Sequence, residues 1–471
     1  LIGCRSVMRK AFVIGLCLLG AMATRGVAGV PDDRLVQAVR GSDHKALQTL
    51  LAAHVDPNAP LPDKSTVLAW AVDRQDLESV RLLLKAGADP NISDMSGTTP
   101  MALACELGKP DIVLALLGAG GDAKTTRADG TSVLELCARG STPVVLERLI
   151  ADGADVNAAD PQGQTPLMWA AEKGRTGNMT VLIKHGADVN AVSRKGWTPL
   201  IFALKSEVAT APSVLTAAGA DVQVALPNGM SVVEAALIKN NVPFVMQLVS
   251  SDAIDVKHQE HLGRQLIHLA ALHGSADLVK LALAKGADPN ALTSPPPAPL
   301  PTKEVEPPPA PVVPGQPLPL KVGIASTLPP PPPMPTTPLL LAAQAGSVAT
   351  MKALVDAGAK PDAVSAIGDT LTLAAANGGD LEALKFAVQL DPDVNAVNRL
   401  GRNVFHMVVA NEHGADYDAM LRYLADKGAK LEVKDYRGIT PGLFVNAHGV
   451  QALRLAYLKV LADHGMVSAF H

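Results

Sequence analysis

The sequence predicts an all-α solenoid of about twelve stacked helix-turn-helix units with hairpin-like fingers and one long proline-rich insertion. Three observations lead there. Gly-Ala-Asp blocks recur with Gly153, Gly186 and Gly219 spaced 33 residues apart, and Gly87 lies two such steps before Gly153. A second marker runs in phase with the first: Thr66, Thr99, Ser132, Thr165, Thr198 and Ser231, again 33 apart. Between the two markers lie short apolar stretches of helical spacing, too short to bury their own faces, so neighbouring units must stack.

Each part of one unit has a physical assignment. In Thr165 to Lys173, Pro166 occupies a first helical turn, where its missing N–H costs nothing, and Thr165 caps that turn. Val181, Leu182 and Ile183 form the apolar stripe of a second helix, which Gly186 ends in the left-handed conformation. Asp188 to Gly196 is turn chemistry, rich in Asp, Asn and Gly, and predicts the finger. Extending the step places His54 at the glycine position of the first unit, in His54-Val55-Asp56-Pro57-Asn58. That first unit carries Asp32, Asp33, Arg34, Gln37 and Arg40, polar residues suited to an N-terminal cap.

These residues resemble the ankyrin repeat. The likeness is strongest in Thr165-Pro166-Leu167-Met168-Trp169-Ala170-Ala171, Gly186-Ala187-Asp188-Val189-Asn190 and Gly196-Trp197-Thr198-Pro199-Leu200. Ser132-Val133 and Ser231-Val232 depart from the pattern by lacking the proline, and Gln265 replaces the threonine. The resemblance implies a non-catalytic scaffold that binds a partner protein through its finger and first-helix face. An envelope inhibitor or immunity-type protein that blocks an enzyme is the alternative, and an enzyme with a hidden site is a more remote one.

The rest of the chain divides around this array. Arg9-Lys10, the apolar run from Ala11 to Ala23 and the small residues Gly26-Val27-Ala28 have the layout of a secretory signal over residues 1–28, with residues 1–7 read as a start-site artefact. The run is shorter than the ~20 residues a membrane span needs. A periplasmic or secreted monomer follows. Residues 29–290 read as repeats 1–8 and residues 336–471 as repeats 9–12. Between them, residues 291–335 carry Pro295 to Pro297, Pro307 to Pro309 and Pro329 to Pro333, a polyproline segment that is either an extruded loop or a linker. Leu278, Val279, Leu281 and Leu283 before it and Leu339 to Ala343 after it read as interior repeats, which favours continuous stacking.

Composition narrows the partners. A net charge of −4 and 3% aromatics exclude a nucleic-acid surface. No phosphate loop, dinucleotide fingerprint, nucleophile elbow or His-Glu-x-x-His occurs, so no catalytic residue, metal or cofactor is expected. His268 and His406 take the signature histidine position and read as structural. His258, His261 and His273 lack the converging spacing of a zinc site. The Asp-x-Asn blocks read as turn scaffold. Cys105 stands six residues after Thr99 and Cys137 five after Ser132, a mismatch that predicts two unbonded thiols.

Candidate partner-binding residues follow from the register. Trp70 and Trp169 share a position with leucines and read as core or near-core. Trp197 follows the finger glycine, where Thr98, Thr131, Gln164, Met230, Arg264 and Arg402 stand in other units. That variability predicts an exposed tip. Trp197 flanked by Arg194 and Lys195 has hot-spot composition, with Gln164, Thr131, Thr98, Met230 and Arg264 as its neighbours on the same row. The alternative is a tryptophan lying on the adjacent finger.

Overall fold

The computed structural model describes residues 33–260, 263–293, 335–411, 416–448 and 451–466. The expected signal segment 1–28 with Cys4 and Cys17, His261 and most of the proline segment fall outside these residues. The described residues hold twenty-four helices, α1 (Asp33–Arg40) to α24 (Gln451–Asp463), paired into twelve repeats. They fall into two compact units, one ending at Pro161 and the other starting at Gln162.

The first helix of each repeat starts as its cap chemistry dictates. Thr66, Thr99, Thr165, Thr198, Thr337 and Thr370 each accept the amide three residues on, with Pro100, Pro166, Pro199 and Pro338 at the first helical position. At two of the repeats without this proline, a second device is present. Ser132 and Ser231 form capping boxes with Glu135 and Glu234, each pair satisfying two amides that the helix leaves open. At Gln265 and Asn403 a histidine does this work. His268 Nδ1 accepts the Gln265 amide at 3.1 Å while Nε2 meets Ala291 O at 2.9 Å. His406 repeats the arrangement against Asn403 and Ile439 O. Burial lowers the pKa of both rings, favouring the neutral form that can accept at Nδ1 and donate at Nε2.

Most second helices among the described residues end in the left-handed region, as the glycine markers require: φ is +95° at Gly153 and +87° at Gly186. His54 holds the same place with φ +58°. The fingers that follow are not strands; their only ladder pairings among the described residues are the isolated bridges Thr126 with Ser132 and Ala225 with Ser231. Main-chain bonds stack them instead. Met95 N donates to Asp63 O at 3.0 Å in the first unit, and Arg399 N to Ile367 O at 2.8 Å and Tyr436 N to Leu400 O at 2.9 Å in the second.

Asparagine does more than turn the chain. Asn58 Nδ2 donates to Gly87 O at 2.9 Å while its Oδ1 accepts the Asp89 amide at 2.7 Å, so one side chain bridges two repeats. Asn91 makes the same rung to Gly120 and Asp122, Asn190 to Gly219 and Asp221, and Asn395 to Gly428 and Lys430. The rung also forms across the proline segment. Asn290 reaches Gly358 O at 3.0 Å and accepts the Lys360 amide at 2.9 Å, although these partners are about 70 residues apart in sequence. Thr293 and Thr336, on either side of the segment, bond each other twice. Ser347 Oγ donates to Gly274 O at 3.0 Å. Helices α15 (Leu266–Leu272) and α17 (Pro338–Gln344) pack together, as do α16 (Ala276–Ala284) and α18 (Val348–Asp356), so repeat 9 stacks directly on repeat 8.

The cysteine expectation is overturned. Cys105 and Cys137 form a disulfide with a Cα separation of 4.6 Å. The offset of one register position does not separate them. Two parallel helices packed side by side meet through opposite flanks, so residues that touch across the junction come from different register positions. Glycine completes the approach: a Cβ at Gly108 would fall 2.8 Å from Gly140 O.

Glu135 is fully buried, and burial is the main cause of a carboxyl pKa raised to about 7. Hydrogen bonding to Ser132 opposes the rise and the Asp160 carboxylate adds to it. Between the ordinary value of 4.5 and about 7 the folded state therefore binds the extra proton, and stability contributed by this group falls as pH rises through that window. Glu135→Gln keeps the capping box without the charge. We expect the variant to unfold at higher urea than the parent at pH 8 and the gap to close at pH 5; a gap independent of pH would contradict the assignment.

Candidate interaction face

Helices stacked side by side present rows of equivalent side chains, and the exposed rows are where a partner can bind. In the second unit, α11 (Pro199–Lys205), α13 (Val232–Ile238) and α15 lie next to one another. Their last residues form one row: Lys205, Ile238 and Leu272. Ile238 is 62% exposed and Leu272 36%, which leaves two aliphatic side chains on solvent in adjacent repeats.

Trp197 lies on this same face, although not as an exposed tip. It is half-buried, with its ring 5.4 Å from Phe202 at a tilt of 54° and Lys205 Nζ 4.0 Å above it. The tryptophan packs on the first helix of its own repeat, against Phe202 and Lys205. Aromatic pairing and a cation over the ring each contribute about 0.5–1.5 kcal/mol, which favours this packed position of the ring.

The other residues of the expected row separate. Arg194 and Lys195 are exposed at the finger tip, while Gln164, Met230 and Arg264 are half-buried. In the first unit Thr98 is half-buried and Thr131, at 8% exposure, is buried, which corrects the reading of this position as free surface. Trp70 and Trp169 are half-buried, at the edge of the core. Trp70 Nε1 donates to Ser65 Oγ at 3.2 Å, and the Arg40 guanidinium sits 5.0 Å above its ring. That cation–tryptophan pair and the Lys205 one were missed in the sequence. Their signal was a basic residue seven positions after a cap marker or its equivalent, near an aromatic residue. A second missed feature is Tyr436, 67% exposed at its finger tip with the Arg437 guanidinium 5.5 Å over the ring.

Among the described residues no group of three or more His, Cys, Asp or Glu side chains could hold a metal ion, and His258 and His273 stand exposed. A concavity of about 160 Å³ lies between the fingers around Val224, Ser231 and His258.

The family described as ankyrin repeats in three copies matches residues 35–129, 134–225 and 339–435, and the single ankyrin repeat matches residues 262–294. The chain belongs to the ankyrin-repeat family. No curated protein matches it. Ankyrin repeats are a protein–protein interaction module, generally non-catalytic, and the Lys205–Ile238–Leu272 row gives this ankyrin chain an apolar surface with a cation at one end.

Since Trp197 is packed, its loss should be felt in folding. We expect Trp197→Ala to lower unfolding stability by about 2 kcal/mol, the scale of losing a half-buried aromatic stack. Urea titration of the parent and variant measures it. A change within about 0.5 kcal/mol would return Trp197 to the role of a free tip.

Proposed function

We propose that this ankyrin chain is a non-catalytic scaffold, exported from the cytoplasm, that holds a partner protein against the first-helix and finger face of its second unit. The observation that carries the reading is the row of Ile238 and Leu272, aliphatic and exposed in consecutive repeats, beside the Trp197–Lys205 stack. Surface leucine and isoleucine scattered singly carry no meaning, but two in one row beside a packed aromatic form the centre of a binding patch. Arg194 and Lys195, exposed on the finger next to Trp197, supply a charged rim that steers and orients the partner.

Export rests on the N-terminal charge, apolar and small-residue layout and on the buried Cys105–Cys137 bond, because disulfides persist in oxidising compartments and are scarce in the cytosol. No described helix is long and apolar enough to cross a membrane. A partner that is a protein, with no nucleic acid, agrees with the net charge of −4.

The test uses the chain from residue 29 as bait on an envelope fraction, alongside Ile238→Glu/Leu272→Glu. Both substitutions are at exposed positions and should leave unfolding within about 0.5 kcal/mol of the parent. A partner retained by the parent and lost by the variant is the expected result. Equal recovery by both would move the binding face elsewhere.

A further inference from the structure

The first unit joins four repeats through three junctions. Asn58 provides the rung between repeats 1 and 2, and Asn91 the rung between repeats 2 and 3. Between repeats 3 and 4 the rung is missing. Lys124 stands at the asparagine position, its amide is taken by Asp122 of its own repeat, and its stem runs past Gly153, where an added Cβ would meet Lys124 Cε at 2.8 Å. A lysine has no acceptor to offer the next repeat's amide, so it cannot reproduce the two-sided bridge. The disulfide ties this same junction, because Cys105 lies in α5 (Pro100–Glu106) of repeat 3 and Cys137 in α7 (Val133–Gly140) of repeat 4. Both cysteines are fully buried.

We propose that the Cys105–Cys137 disulfide is a redox latch on the junction between repeats 3 and 4, standing in for the missing asparagine rung, so that its reduction loosens repeats 1–3 from repeat 4. In a stacked array, stability is a sum of repeat and nearest-neighbour terms, so weakening one junction frees the short end beyond it as a block. The bond restricts the opened state by holding together residues 32 apart in sequence, an effect lost on reduction. Reduction needs a dithiol: its two electrons and two protons convert the bond to two thiols while the dithiol closes to its own disulfide. Because both sulfurs are buried, thiolate attack must wait for the junction to open. An exported chain keeps the latch closed; one retained among cytosolic thiols does not.

Amide hydrogen exchange of the full chain, read by mass spectrometry, tests this. Three forms are compared: the oxidised parent, the parent reduced with dithiothreitol in denaturant and refolded under reductant, and Cys105→Ala/Cys137→Ala. Reduced parent and double variant should exchange about tenfold faster or more across residues 33–131, with residues 166–293 unchanged. Adding Lys124→Asn to the cysteine-free chain should rebuild the rung and recover much of the protection. Equal rates in oxidised and reduced parent, free thiols in the oxidised chain, an acceleration shared by residues 166–293, or no recovery with Lys124→Asn would each overturn the latch.

Discussion

Everything in this chain depends on the fact that its first helices are buried on nearly every side. In α7, six consecutive residues from Val133 to Ala138 are buried, and in α17 the same holds from Pro338 to Ala343. Helices of seven or eight residues do not persist alone in water, and an isolated one with these sequences would expose all of that surface. Such a helix is stable only when packed against the first helix of a neighbouring repeat and against its own second helix. The junction between repeats, and not the repeat, is therefore the element of stability, and the sequence spends its polar chemistry there: asparagine rungs, finger-to-finger amide bonds, and at one place a disulfide.

The same constraint shapes the interaction face. A row of side chains can serve a partner only if the helices beneath are fixed in spacing, and stacking supplies that fixity. Lys205, Ile238 and Leu272 occupy one position on three adjacent helices, so their relative placement is set by packing and needs no loop to order. Trp197 contributes as a held aromatic, clamped between Phe202 and Lys205, instead of a free side chain that binding would have to immobilise.

Much of this architecture was legible in the sequence, for identifiable reasons. Thr165-Pro166 and Gly186 are residues whose local chemistry admits few alternatives, and a fixed period repeats that information until the register is certain. His54 could be placed as a glycine substitute by counting alone. What failed to show were contacts across junctions. Asn58 and Asn190 read as turn formers, because their second role requires a partner 29 residues away. Cys105 and Cys137 were judged by register within a repeat, while bonding depends on which flanks of two helices meet. The exposure of Thr131 and Trp197 rested likewise on variability, which cannot distinguish a free tip from a side chain packed on its own repeat.

One junction tests the primacy of stacking most directly, because the chain does not enforce it: repeats 8 and 9 meet although the proline segment separates them. The rate of amide exchange at Lys360 and Thr336, whose partners Asn290 and Thr293 lie across that segment, reports the contact itself. Continuous stacking predicts that both amides in the full chain exchange much more slowly than in an unstructured peptide of the same sequence, and that Asn290→Ala accelerates Lys360. Exchange of both at the rate of the free peptide would contradict it, and would mean that repeats 8 and 9 do not share a surface.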